Sequence, residues 1–250
     1  MTYGDFSQAH HLPKQRGDRG PVDPKGLPRQ RRGITPQMHG RYPDYDVLSQ
    51  QGHWDEETRR VVTDRVDNVP AIAFFAPDEL ETATAFCDLV LAQDEDPRIP
   101  VVNYVDEKLA QGRGDGYRYF DLPDDTETWR LVVRGLDQEA GRRGAERFAL
   151  LAYDDQLEVV TRFSKGELHG GVWSLLNVSR AWSVTTRYAL EAFYSHPWAW
   201  NEIGFGGPAY PRGYSRFGSP HLQDAERETW EGAQAFDVDP VEDVAERGVE

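Results

Sequence analysis

The groups in this chain that could do chemistry are seven histidines, a single cysteine and one glycine-rich turn. Metal chemistry needs ligands at fixed spacing. His10, His11, His39, His53, His169, His196 and His221 form no His-Glu-x-x-His motif, no Glu-x-x-His pair and no histidine pair one helical turn apart. A zinc or di-iron centre therefore has little support. His196 and Glu202 are close enough in sequence to meet across a turn as an acid–base or ligand pair. The other reading has His196 hydrogen-bonding backbone after a helix end, with Glu202 satisfying buried N–H groups or an arginine. The run Gly204-Phe205-Gly206-Gly207-Pro208-Ala209 is superficially like a phosphate loop. No strand pattern precedes it, and Pro208 removes an N–H that a phosphate would use. The chain has no GxGxxG for a dinucleotide, no C-x-x-C-H for haem and no GxSxG elbow. Cys87, the lone cysteine, sits on an apolar helical face and reads as a small core residue, with no intrachain disulfide possible.

The most distinctive stretch runs from Phe193 to Tyr214, Phe-Tyr-Ser-His-Pro-Trp-Ala-Trp-Asn-Glu-Ile-Gly-Phe-Gly-Gly-Pro-Ala-Tyr-Pro-Arg-Gly-Tyr. It reads as the end of an amphipathic helix that stops at Pro197 and becomes an ordered loop. Trp198, Trp200, Phe205, Tyr210 and Tyr214 carry apolar area that must pack against something. The glycines open backbone conformations closed to other residues, and Pro197, Pro208 and Pro211 fix φ. Two uses suit such a loop. Its aromatic faces could stack on sugar rings, making the chain an independent carbohydrate-binding module or enzyme built on residues 196–214. Alternatively, aromatics together with Arg212 and Arg216 have the composition of an interface core.

The string HPWAWNEIGFGGPAYPRGY closely resembles the signature of the gluconate 2-dehydrogenase subunit 3 family. His53-Trp54-Asp55-Glu56-Glu57-Thr58-Arg59-Arg60-Val61-Val62 is similar to that family's opening helix, and the resemblance covers roughly residues 50–217. It implies a non-catalytic small subunit of a heteromeric FAD-dependent GMC oxidoreductase acting on a sugar, glycoside or polyol. The partner would be the GMC-type flavoprotein large subunit, which this chain would stabilise or mature. FAD would reside there, and no cofactor or metal in this chain. The resemblance makes His196, Pro197, Trp200, Glu202, Gly204, Phe205, Gly207, Pro208, Tyr210, Pro211, Arg212 and Tyr214 a structural or subunit-contact motif rather than a catalytic one.

Composition narrows the setting. The 250 residues carry a net charge of −15. Residues 1–50 hold +3 of that balance and the remainder −18. An acidic body argues against nucleic acid and anionic membrane surfaces. Mean hydropathy is −0.70, and no apolar run reaches the roughly 18 residues of a membrane span. Arg31-Arg32 is followed by Gly33-Ile34-Thr35-Pro36, which is not the apolar region of a twin-arginine signal. Many family members carry such a signal, so this chain departs from that pattern; a cytoplasmic location is the expectation, with export on a partner's signal as the alternative.

The expected fold class is mainly α, an irregular helical domain with long loops and extended N- and C-terminal arms. Residues 1–50, rich in proline and glycine, form the first arm, which could bury Phe6, Leu12, Leu27, Ile34, Met38 and Tyr42 against a partner. Residues 51–217 form the helical domain and 218–250 an acidic tail, with Trp230 and Phe236 as possible anchors. Asp55 is placed to cap a helix with Thr58, Val61, Val62 and Val66 on one stripe. Pro77 suits the first position of a second helix, carrying Leu80, Ala83, Cys87, Val90 and Leu91. A short third helix follows Pro100, with Val101, Val102, Val105 and Leu109 on one side. Asp124 and Glu127 have capping-box spacing ahead of Trp129, Val132, Val133, Leu136 and Ala140. A helix over 146–163 should break near Asp154-Asp155. The longest is predicted from Val172 to Tyr194, with Val172, Leu175, Leu176, Ser179, Trp182, Thr186, Ala189, Leu190 and Phe193 in one stripe.

Overall fold

The structure, a computed structural model, describes residues 46–93, 96–203, 205, 207 and 208. The apolar residues named for the first arm and the whole acidic tail lie outside these residues. Among those described, the chain is mainly α, with seven α-helices and no strand. The helices are α1 (Glu56–Asp67), α2 (Pro77–Val90), α3 (Val101–Ala110), α4 (Asp125–Arg142), α5 (Tyr153–Ser164), α6 (Val178–Tyr194) and α7 (Pro197–Ile203). Short 3-10 helices cover Val47–His53, Phe148–Leu150 and Gly171–Leu175.

Cap chemistry sets several of these starts. The Asp55 carboxylate accepts the Thr58 N–H (2.9 Å), and that of Asp124 accepts the Glu127 N–H (2.8 Å). Each satisfies one of the orphan donors of a helix's first turn. Pro77 opens α2, and Glu79 reaches back to the Ala76 N–H at 3.0 Å. The stripes of α3 and α4 face inward as their spacing predicts: Val101, Val102, Val105 and Leu109 are buried, as are Trp129, Val132, Val133, Leu136 and Ala140.

α2 to α6 enclose the main core, whose centre is aromatic. The Trp129 ring meets Phe75, Phe86 and Tyr188 edge-on at 6.0–6.2 Å, and Phe163 lies between Trp173 (5.1 Å) and Trp182 (5.3 Å). Such tilted and edge-to-face pairs add to the area they bury. Gly135, inside α4, leaves room for the Trp173 indole: a Cβ there would lie 2.7 Å from the ring. The buried Asp106 carboxylate of α3 accepts the N–H groups of Ala73 (2.6 Å), Phe74 (3.0 Å) and Phe75 (2.8 Å). One side chain thereby holds the irregular segment between α1 and α2.

Four expectations are corrected. The predicted helix from Val172 is two elements: a 3-10 turn over Gly171–Leu175, then α6 from Val178. Leu176 is extended, and the Asn177 side chain caps the new start by accepting the Arg180 N–H at 3.2 Å. The buried stripe of α6 is Val178, Ala181, Val184, Thr185, Tyr188, Ala189, Ala192 and Phe193, while Leu175 and Leu190 are exposed. In α1 only Val62 is buried, because one side of that helix alone meets the body. The break before α5 falls at Leu151-Ala152, and Asp154 and Asp155 lie in its first turn, where the helix dipole favours carboxylates. Lastly, Pro197 does not end helical structure. It opens α7.

Candidate functional site

α7 is built at the corner after α6. Ser195 leaves α6, His196 follows, and Pro197 stands at the first helical position, where its missing N–H is not needed. The His196 Nδ1 accepts the Trp198 N–H at 3.2 Å, so the imidazole acts as the cap of the new helix. The ring is 2% exposed. It stacks edge-on with Trp198 at 4.9 Å and lies 6.5 Å from the Tyr104 ring. Burial holds its pKa down at about 4, against an opposing hydrogen bond to the Arg65 backbone, and the nearby Arg65 charge lowers it further. With Nδ1 accepting, the neutral ring carries its proton on Nε2.

Arg65 ties three elements together here. Its guanidinium donates to the Ser195 carbonyl, while its own carbonyl accepts from the Tyr104 hydroxyl. α1, α3 and the α6–α7 corner are thus joined through one residue and one imidazole.

Beyond the corner α7 straddles two apolar clusters. Ala199 and Trp198 pack on the main core; Trp200 packs with Val47, Trp54 and Val62 in a second, smaller one. The Trp200 indole N–H donates to the Tyr194 carbonyl (2.7 Å), and its ring meets Phe205 edge-on at 5.4 Å. Asn201, also buried, accepts the Val47 N–H at 2.8 Å through Oδ1 and donates to Asp46 at 3.3 Å. Gly207 has φ +83°, and a Cβ there would lie 2.5 Å from Val47 and 3.3 Å from Trp54. The 3-10 segment Val47–His53 is therefore held by α7 through Asn201, with Gly207 close against Val47. The buried Trp54 indole N–H has no hydrogen-bond partner among the described residues.

Of the motif residues, the structure brings His196, Pro197, Trp200, Phe205, Gly207 and Pro208 to this corner. The side chain of Glu202, and Gly204, Tyr210, Pro211, Arg212 and Tyr214, lie outside the described residues. The described part of the motif points inward. His196 has both nitrogens engaged with backbone, and Trp200 lies in a core rather than offering a face to a sugar. Sequence reasoning passed over Asn201, Arg65, Tyr104 and Val47, which complete the corner. Asp46 was the one local signal: it caps the 3-10 helix by accepting the Leu48 N–H at 3.1 Å. No group of three or more His, Cys, Asp or Glu side chains placed to hold a metal ion occurs among the described residues.

Comparison with known families decides the relationship. The family model of gluconate 2-dehydrogenase subunit 3 matches residues 77–207, more than half of the chain. The chain belongs to the gluconate 2-dehydrogenase subunit 3 family. The match starts at the first residue of α2 and ends at Gly207, so it takes in all of the main core except Phe74 and Phe75, together with the His196 cap and Trp200. No curated protein matches the chain, and no solved structure does. The family takes its name from a subunit of a multi-subunit dehydrogenase. No described helix of this member is long and apolar enough to cross a membrane.

Proposed function

We propose that this chain is the non-catalytic small subunit of a heteromeric FAD-dependent GMC-type oxidoreductase of a sugar, glycoside or polyol. Its work is to stabilise or mature the flavoprotein large subunit, which holds the FAD. The observation that carries this reading is the family match over residues 77–207. It is supported by the use the fold makes of the described part of the motif, where His196 and Trp200 serve as internal pins. That geometry weighs against the carbohydrate-module alternative, because the Trp200 ring is committed to internal packing.

The test is mild affinity purification of the full chain from its native host, with an absorbance spectrum and mass spectrometry of what accompanies it. A yellow preparation with a GMC-type flavoprotein at fixed ratio is the expected result. A colourless, monodisperse single chain that binds or oxidises sugar by itself would overturn the reading.

A further inference from the structure

Among the described residues the second cluster is small: Val47, Trp54, Val62 and Trp200, with Leu48 packed against them. Its margin is left in water. The Phe205 ring, edge-on to Trp200, is 36% exposed, and Val61, beside Val62 on α1, is 45% exposed. Trp54 itself is only 3% exposed, yet its indole N–H has no hydrogen-bond partner among the described residues. Buried polar groups are nearly always paired, and an orphaned donor costs stability. The acceptor for this one comes from beyond the described residues.

Geometry shows where it enters. The Trp54 atom nearest a Cβ built on Gly207 is Cζ2, at 3.3 Å, and Cζ2 is bonded to the ring carbon that carries Nε1. The backbone therefore passes the N–H edge of the indole at Gly207, and Pro208 leads away from that edge. Val47 lies 2.5 Å from the same Cβ position, so the exit is fixed against the cluster. The other exit, at Asp46, faces Asn201 of α7 instead.

Residues 209–217, Ala-Tyr-Pro-Arg-Gly-Tyr-Ser-Arg-Phe, follow Pro208 and lie outside the described residues. Tyr210, Tyr214 and Phe217 bring aromatic area that needs a surface to cover. Pro211 restricts the free chain, so less freedom is lost when the segment is ordered. Tyr210 follows Gly207 so closely that its backbone stays within roughly 11 Å of it. Closing so short a tether costs little chain entropy.

We infer that residues 209–217 fold back on the second cluster, supply the acceptor for the Trp54 indole N–H and pack Tyr210 and Tyr214 against its exposed apolar margin. The C-terminal part of the motif then completes this chain's own core, and its two tyrosines are withdrawn from subunit contact. The inference goes beyond the accessory-subunit reading and does not depend on it.

The experiment is nuclear magnetic resonance of the purified full-length chain with isotope-labelled tryptophan and tyrosine. The Trp54 indole signal is the one lost in Trp54→Phe, and the tyrosine rings are assigned by Tyr210→Phe and Tyr214→Phe. Wild type should show nuclear Overhauser contacts from the Trp54 indole to the Tyr210 or Tyr214 ring. Exchange of the Trp54 indole N–H should quicken by about tenfold or more in the double variant Tyr210→Ser, Tyr214→Ser. Backbone protection in α4 should stay as in wild type, which checks that the main core remains folded. The double variant Met38→Ser, Tyr42→Ser on the first arm should exchange as wild type does. Absence of the contacts to both tyrosines overturns the inference, whatever the exchange rates. Faster exchange in the Met38 and Tyr42 variant alone assigns the cover to the first arm and overturns it too. So does indole protection that arises only when a flavoprotein is bound, or only on dimerisation of the chain.

Discussion

At the scale of single residues, the buried His196 imidazole should make the stability of the fold depend on pH. Protonating it means giving up the Trp198 N–H bond at Nδ1 inside an apolar corner next to Arg65. The folded pKa is about 4, below the ordinary 6.5, so between those values the unfolded chain binds the extra proton. Stability therefore rises with pH through that window and is lost as pH falls from 6.5 toward 4, by up to about 3 kcal/mol. The depressed carboxyls of Asp115 and Asp124 act in a lower window, below their ordinary value of 3.8. Urea unfolding at pH 7.5 and 4.5 should show the loss in wild type and a clearly smaller one in His196→Asn, whose amide oxygen can still accept the Trp198 N–H. Equal losses would assign the acid sensitivity to other groups. Asp106→Ala leaves the N–H groups of Ala73, Phe74 and Phe75 without their acceptor and should lower unfolding free energy by about 3 kcal/mol or more. A change under about 1 kcal/mol would mean that water replaces the carboxylate.

At the scale of elements, the two clusters should differ in strength. The smaller one rests on Trp200, Trp54, Val62 and Val47, with few side chains behind them. Trp200→Ala removes its largest member and should cost about 3–5 kcal/mol locally. Hydrogen exchange should then show lost protection over Val47–Trp54 and α1, with α2 to α5 little changed; uniform loss would mean that the chain unfolds as one unit. Gly207→Ala should act in the same direction, since it both strains φ +83° and drives a Cβ into Val47. How far each element was legible follows from the range of the forces that set it. Asp55, Pro77 and Asp124 mark helix starts through bonds spanning a few residues, so their types and spacing suffice. α7 was missed because a proline after a helix reads as a stop, whereas here His196 supplies a new cap one residue earlier.

At the scale of the whole molecule, the accessory role makes a thermodynamic prediction. A subunit that docks on the native chain stabilises it by mass action, about 2.7 kcal/mol when its free concentration is a hundred times Kd. Melting of this chain within the purified complex should therefore occur several degrees above melting of the chain alone. Identical transitions would speak against a stabilising contact.

The amino-acid sequence by itself determined the helical class, the starts of α1, α2 and α4, the inward faces of α3 and α4, and the family, read from the His196–Tyr214 string. These depend on 3.6-residue periodicity, on caps and on a motif, all of which are local. Only the tertiary structure decided which face of α6 is buried, because that helix has apolar residues on more than one side and its neighbours choose among them. Only the fold joined Val47 to Asn201, 154 positions away, and Arg65 to Ser195, 130 positions away. Bonds over such separations leave no periodic trace in the chain, and through them the described part of a motif that reads as surface is turned into the pins of a core.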